Sequence, residues 1–245
     1  MLFRRRPKPL PERWRALLAE RLPHHGALTP ELRARFEARV MEFLAAKKFY
    51  GCNDLAVTEE MRVLIAGMAC LLILRPDARV YPLLRSVLLY PTAFWVRHEE
   101  PDEAGVVYED EVLQVGESQE WGRVILSWED AQAALDGDPV NVPAHEFAHQ
   151  LNEESPHEGA PLLPDYARWS KVMAAAYEEL CDKGSPVLDD YGTEGPGEFF
   201  AVATEAYFQS GRELKRHHRE LYDLLKDYYL LDTITVSFRA QRGIP

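Results

Sequence analysis

The segment Asn141 to Glu154 reads NVPAHEFAHQLNEE, and its centre is His145-Glu146-Phe147-Ala148-His149. On a helix, residues four apart share a face with their β-carbons about 5 to 6 Å apart, so both imidazoles reach one metal ion. Glu146 follows the first histidine, where its carboxylate can hold a water beside the metal without ligating it. Zinc in such a setting lowers the pKa of water, and the carboxylate takes the proton as the water attacks a carbonyl. Two histidines on an amphipathic helix are also compatible with a plain surface or a hydrogen-bonded core. The apolar back of this helix, Val142, Phe147, Ala148 and Leu151, favours a helix buried on one side with its histidines facing a cleft.

A hydrolytic zinc keeps one position for water, whereas a structural zinc fills all four with protein, so a third protein ligand must come from elsewhere. No HxxGxxH extension follows His149. The residues open to this role are His157, Glu178, Glu179, Glu194, Glu198 and Glu205. Glu198 opens the periodic run EFFAVATEAYF, which is expected to return antiparallel beneath the motif helix. The 49 positions between His149 and Glu198 leave room for one intervening helix.

The elements that must position these residues are mostly helical. Glu12 to Leu22 reads as a short amphipathic helix, and Thr29-Pro30-Glu31 starts another that continues to about Lys47. Thr58 opens a third, with Met61 where Glu or Gln would complete a capping box, and MRVLIAGMACLLIL is apolar nearly all round until Pro76. Short strands are expected at Ser86–Tyr90, Phe94–Arg97 and Arg123–Trp128, with an acidic loop or surface hairpin between the second and third. A helix from Trp128 to about Leu135 ends in Asp136-Gly137-Asp138-Pro139. The motif helix begins after either Asp138 or Asn141, two caps the sequence does not separate. Later helices are read at Pro164–Cys181, Gly197–Gln209 and Glu213–Tyr228. No internal repeat and no glycine-rich phosphate loop occurs.

The 245 residues suit a single catalytic unit, with 1–54 as an N-terminal helical portion. Forty Asp and Glu against 28 Lys and Arg give a net charge of -12, which repels phosphate backbones and argues against direct nucleic-acid binding. Cys52, Cys70 and Cys181 form no CxxC pair and are expected to be buried apolar residues in a reducing, cytoplasmic setting. The basic start lacks the apolar run of a signal peptide, and Val63–Leu74 is about half the length that crosses a bilayer, so no membrane association is expected. Arg212, Lys215, Arg216, His217, His218 and Arg219, interspersed with Glu213 and Glu220, read as a solvated helix face.

Several separated segments, taken in order, are more specific than HExxH: RVLIAGMACLLIL, the tyrosine-proline of LLYP, GRVILSW, NVPAHEFAH and YGTEGPGEFFAVATEAYF. Over about Leu55 to Tyr229 the chain resembles the Mlc titration factor A family, bacterial zinc peptidases of the gluzincin type related in active-site layout to the catalytic domain of anthrax lethal factor. The resemblance implies an α+β, mostly helical zincin-like fold with a small mixed sheet before the motif helix. It implies one zinc per chain held by His145, His149 and Glu198, with Glu146 as base and Tyr191 as a hydrogen-bond donor to the transition state. The family's aspartate after HEFAHxL is Asn152 here, an amide that hydrogen-bonds without charge, and its asparagine-proline is Gly195-Pro196. Glu205, seven residues beyond Glu198 on the same face, could accept the remaining N–H of a ligand histidine or serve as a solvent salt-bridge residue.

The function expected is peptide-bond hydrolysis by metal-activated water, of aminopeptidase type by resemblance, in a cleft where Val124–Ser127 is a candidate edge strand for an extended peptide substrate. The resemblance also implies a transcriptional repressor of the Mlc type as partner. The rival reading is a regulatory protein that sequesters such a repressor and uses zinc to stabilise its fold.

Overall fold

The computed structural model describes residues 9–92, 94–101, 107–114, 116–119, 122–155, 161, 163 and 166–235, with 94–119 described as backbone. In order these are α1 (Glu12–Arg21), α2 (Pro30–Ala46), β1 (Lys48–Gly51), α3 (Glu59–Leu71), β2 (Ser86–Tyr90), β3 (Phe94–Pro101), β4 (Val107–Gln114), β5 (Gly116–Gln119) and β6 (Arg123–Ser127). There follow α4 (Trp128–Asp136), α5 (Val142–Glu153), α6 (Ala167–Lys183), α7 (Pro196–Gln209), α8 (Gly211–His217) and α9 (Arg219–Tyr229). The fold is α+β and mostly helical, as expected, with the strands grouped before the motif helix.

Local chemistry explains most of the boundaries. The Thr29 hydroxyl accepts from Leu32 N–H at 3.3 Å, with Pro30 opening α2. At α3 the Thr58 hydroxyl accepts from Met61 N–H (3.2 Å), and the Met61 sulfur accepts from Thr58 N–H (3.4 Å). A thioether thus completes the capping box that the sequence left half made. Residues 63–74 are all buried, but the helix stops at Leu71, before Pro76 is reached. Leu72 and Ile73 bond to carbonyls three residues back, and the Tyr81 hydroxyl takes the Ala69 carbonyl at 2.7 Å.

The main sheet runs β1-β2-β6-β5, with β1, β2 and β6 parallel and β5 antiparallel to β6. β1, which the sequence pattern did not reveal, and β2 flank α3 as a β-α-β unit. β3 and β4 form a separate antiparallel pair. This order corrects one expectation: β6 lies between β2 and β5 and is no edge, because both of its backbone rows are already paired. Among the described residues the edge next to it belongs to β5.

Two further boundaries differ. The segment Glu213–Tyr228 is not one helix: it breaks at His218 (φ -133°, ψ 64°) into α8 and α9. The helix expected from Pro164 begins at Ala167, and Pro164 itself lies outside the described residues. Of the cysteines, Cys70 is buried, Cys52 half-buried and Cys181 exposed, so burial holds for only one of the three. Cys181 lies in the last turn of α6, on the side away from Leu180, which is buried. Among the described residues no helix is long and apolar enough to cross a membrane.

One continuous core runs through these elements, and α1 and α2 contribute Leu18, Phe36, Val40 and Phe43 to it. Beneath the motif helix, Phe147 lies 5.9 Å from Phe43 and 5.3 Å from Tyr81, ring centre to ring centre. Truncating such a phenylalanine to alanine costs about 3 to 5 kcal/mol. The back of α5 is therefore anchored firmly, and its opposite face is free to do chemistry.

Candidate metal centre

The start of α5 is fixed by Asn141, whose side-chain oxygen accepts from Ala144 N–H at 3.0 Å, with Pro143 in the first turn. Asp138 instead shapes the preceding turn by accepting from Val140 N–H at 2.9 Å. The two caps left open by the sequence thus have separate tasks. α5 packs chiefly against α7, with α6 as the intervening helix the spacing allowed. Within α7 every residue from Phe199 to Phe208 is buried except Glu205, so Glu198 and Glu205 are the carboxylates of a largely enclosed helix.

Three donor atoms from these two helices converge. His145 Nε2 and His149 Nε2 are 3.1 Å apart, and Glu198 Oε2 is 3.3 Å from the first and 3.2 Å from the second. A tetrahedral ion with metal–ligand bonds of about 2.0 to 2.1 Å has ligand–ligand edges of roughly 3.3 Å, so this triangle fits three corners of a zinc site. Among the described residues this is the one group of three or more potential ligands close enough to share an ion. The donor set has two nitrogens and one carboxylate oxygen, which suits zinc.

The electrostatics also call for a cation. Burial opposes a charge on His145, but bonds to Glu198 and Glu205 outweigh it and raise its pKa to about 10. Burial pushes the Glu198 carboxyl up, and the bonds to His145 and His149 outweigh that and lower it to about 2. In the protein atoms alone, a proton on His145 compensates the carboxylates. A metal would take over that role, and its binding would release the proton.

Around the triangle, Glu205 Oε2 lies 3.6 Å from His145 Nδ1, on the side of the ring away from the other donors. Glu146 is buried, at 5% exposure, and its charge contributes to the perturbation of both His145 and Tyr191. Tyr191 is on a short 3-10 turn, Asp190–Glu194, whose start is held by Asp189 accepting from Tyr191 N–H at 2.9 Å. Its ring centre is 6.1 Å from that of His145 and it is 54% exposed, unlike a packing tyrosine. Burial, then the charges of Glu198, Glu194 and Glu146, hold its hydroxyl protonated above the ordinary tyrosine range.

The sequence matches the model of the glucose-regulated metallo-peptidase M90 family over residues 3–230. The chain belongs to this family. As an M90 zinc metallopeptidase it is similar to slr2042 of Synechocystis sp., at 41% identity over 93% of this chain and 86% of the relative. It is similar as well to Mlc titration factor A of Pectobacterium atrosepticum (28% identical, 91% of this chain, 87% of the relative) and of Cronobacter sakazakii (32%, 84% and 80%). The M90 match includes α1 and α2, where the sequence reading saw least resemblance.

Of the residues open as third ligand, the structure brings Glu198 to the histidines. Glu205 contacts His145 alone and stands outside the triangle, and Glu194 is exposed two residues before α7. Glu178 and Glu179 lie on α6 and are not in the cluster, and His157 is outside the described residues. Asn152 is half-buried near the end of α5, three residues after His149 and on the same side of the helix. Sequence reasoning missed Gln209, the last residue of α7, whose amide binds Ala134 O (3.1 Å), Asp138 O and the Asn141 side chain (3.2 Å). A polar residue at the end of a buried helix, one turn beyond Glu205 and three beyond Glu198, was the available signal.

Proposed function

We propose that this M90 member is an aminopeptidase-type zinc peptidase in which His145, His149 and Glu198 hold one zinc. The observation that carries the reading is the triangle of donor atoms at 3.1 to 3.3 Å, a set of three ligands among the described residues. A zinc bound there supplies Lewis acidity and lowers the pKa of water. Glu146, one residue from the first ligand, accepts the proton of the attacking water at its carboxylate and later returns a proton to the leaving amine. The Tyr191 phenol donates a hydrogen bond to the carbonyl oxygen as that oxygen gains negative charge. Glu205 orients His145 by accepting from its Nδ1–H, which leaves Nε2 for the metal. Asn152 contributes a neutral amide to the surroundings of His149.

The aminopeptidase assignment and a repressor of the Mlc type as a partner are supported by family resemblance and by the relatives' name, Mlc titration factor A. The rival, a purely regulatory protein with structural zinc, would need a fourth protein ligand beside the three found among the described residues.

The test compares zinc-loaded wild type with Glu146→Gln on a peptide library with free or acetylated N-termini, read by mass spectrometry. Wild type should release N-terminal residues from the free peptides only, and Glu146→Gln should keep zinc and lose turnover by about a hundredfold or more. Cleavage of acetylated peptides at internal bonds would replace the aminopeptidase reading with an endopeptidase. Glu146→Gln turning over near the wild-type rate would remove the base.

A further inference from the structure

The polar contacts between α5 and α7 form a ladder. Asn141 meets Gln209; four residues forward towards α5 and four back on α7, His145 meets Glu205; seven further back on α7, Glu198 meets His145 and His149. The helices are therefore antiparallel, with rungs one to two turns apart, and only the lower rungs belong to the proposed metal site. The top rung has unusually little freedom. The Gln209 nitrogen donates to Ala134 O and Asp138 O, so a flipped amide would set its oxygen against two carbonyls, and its oxygen is left for Asn141. The Asn141 oxygen accepts from Ala144 N–H, and its nitrogen donates to the Gln209 oxygen at 3.2 Å. Asn141 is buried, and each amide fixes the orientation of the other.

We propose that Asn141 and Gln209 are positioning residues: their side-chain bond sets the register of α7 against α5, and so the placement of Glu198 and Glu205 on the two histidines. The inference rests on the metal-site reading above. A helix rises about 1.5 Å per residue, whereas ligand distances tolerate only about 0.2 Å, so a slip of a small fraction of one residue alters the donor triangle. Apolar packing along α7 sets the helices side by side. A bond between the first residue before α5 and the last residue of α7 adds a directional constraint on their register at the end of the pair.

Asn141→Asp separates this role from capping. Aspartate caps a helix about as well as asparagine and suits the positive end of the helix dipole, but it cannot donate to Gln209. Asn141→Ser likewise keeps a capping oxygen without an amide donor, and Gln209→Met removes the strut at near-constant volume. Zinc affinity is measured on each folded protein by competition with a chelator, alongside thermal unfolding without metal. Asn141→Ser is expected to unfold close to wild type, and Asn141→Asp, whose carboxylate faces the Gln209 oxygen, somewhat more readily; both should bind zinc about tenfold more weakly, and Gln209→Met should show at least that loss. A cobalt-substituted Asn141→Asp should also show a shifted visible spectrum. Wild-type zinc affinity in all three variants overturns the strut alone. A wild type that takes up no zinc, or keeps it after His145→Ala, overturns the site reading and the strut with it.

Discussion

His145 and His218 each present Nδ1 to a glutamate oxygen at 3.6 Å, Glu205 in the first case and Glu179 in the second. The other ring nitrogen separates them. His145 Nε2 faces His149 Nε2 and Glu198 Oε2, groups that both seek a positive partner, whereas His218 Nε2 faces the Ser185 hydroxyl at 2.8 Å. That hydroxyl can donate to the histidine and accept from Val187 and Leu188 N–H, at 3.2 and 3.1 Å, which uses its one proton and both lone pairs. Serine beside histidine and glutamate here makes a latch, with no lone pair left for nucleophilic attack. The electrostatics diverge accordingly. His145 is driven toward its charged form, while burial, outweighing Glu179, lowers the pKa of His218. Residue types alone do not define a metal site; what defines it is the convergence of two imidazole nitrogens and a carboxylate oxygen on one point.

The sharpest way to break this comparison is to remove the histidines one by one. His145→Ala and His149→Ala should lose most of the zinc, and His218→Ala should keep all of it while unfolding more readily, as metal analysis and thermal melts would show. The same contrast holds for carboxylates: Glu198→Ala should lose metal and the exposed Glu194→Ala should not. Full zinc occupancy in either His145→Ala or His149→Ala would erase the distinction between the clusters.

A smaller effect is expected at Tyr191, which stands beside the first cluster and belongs to the turn that follows the second. Loss of one donor to a developing oxyanion costs about 3 kcal/mol, so Tyr191→Phe should lower kcat roughly a hundredfold with KM and zinc content little changed. A kcat within about twofold of wild type, with chemistry rate-limiting, would leave Tyr191 a bystander. The Ser185 latch secures the segment leading to Asp189, and Asp189 caps the turn that carries Tyr191.

The two clusters were unequally legible in the sequence. HEFAH at helical spacing declares its chemistry, and the helix running from Glu198 was readable from apolar periodicity, because a four-residue period and a buried back face are local properties. Ser185, Glu179 and His218 come from the end of α6, its following loop and the α8–α9 break, and no spacing rule connects them. The basic run Arg212 to Arg219 was read as a solvated face, and Arg216 paired with Glu213 at 2.8 Å agrees, but His218 inside it is buried. Its burial follows from the chain bend at His218 itself, which a helical wheel over an unbroken Glu213–Tyr228 hides. Strand order was unreadable for a similar reason. Arg123–Ser127 as a strand is a local pattern, whereas its place between β2 and β5 depends on pairing with residues over 30 positions away.

The least dramatic prediction concerns pH and isolates the latch. A neutral His218 accepts the Ser185 proton; a charged one cannot, and would point a second N–H at an oxygen whose lone pairs are already used. Burial is the main cause of its lowered pKa, with Glu179 opposing and His217 adding to it. Because the folded value lies below the ordinary 6.5, the unfolded chain binds the proton more readily. Stability from this group is therefore complete above about pH 6.5 and is lost as pH falls toward the folded value. His24, which burial lowers to about 4, and His25, also lowered chiefly by burial, add acid sensitivity of the same sign. Comparison with His218→Gln removes that background, since glutamine can still accept from Ser185 and donate toward Glu179 without titrating. Denaturant unfolding of both proteins in chelator should give parallel stabilities above pH 7, with wild type falling away faster as the medium is acidified below 6.5. Curves that stay parallel through that range would mean that His218 does not titrate on unfolding, and the contrast with His145 would then rest on geometry alone.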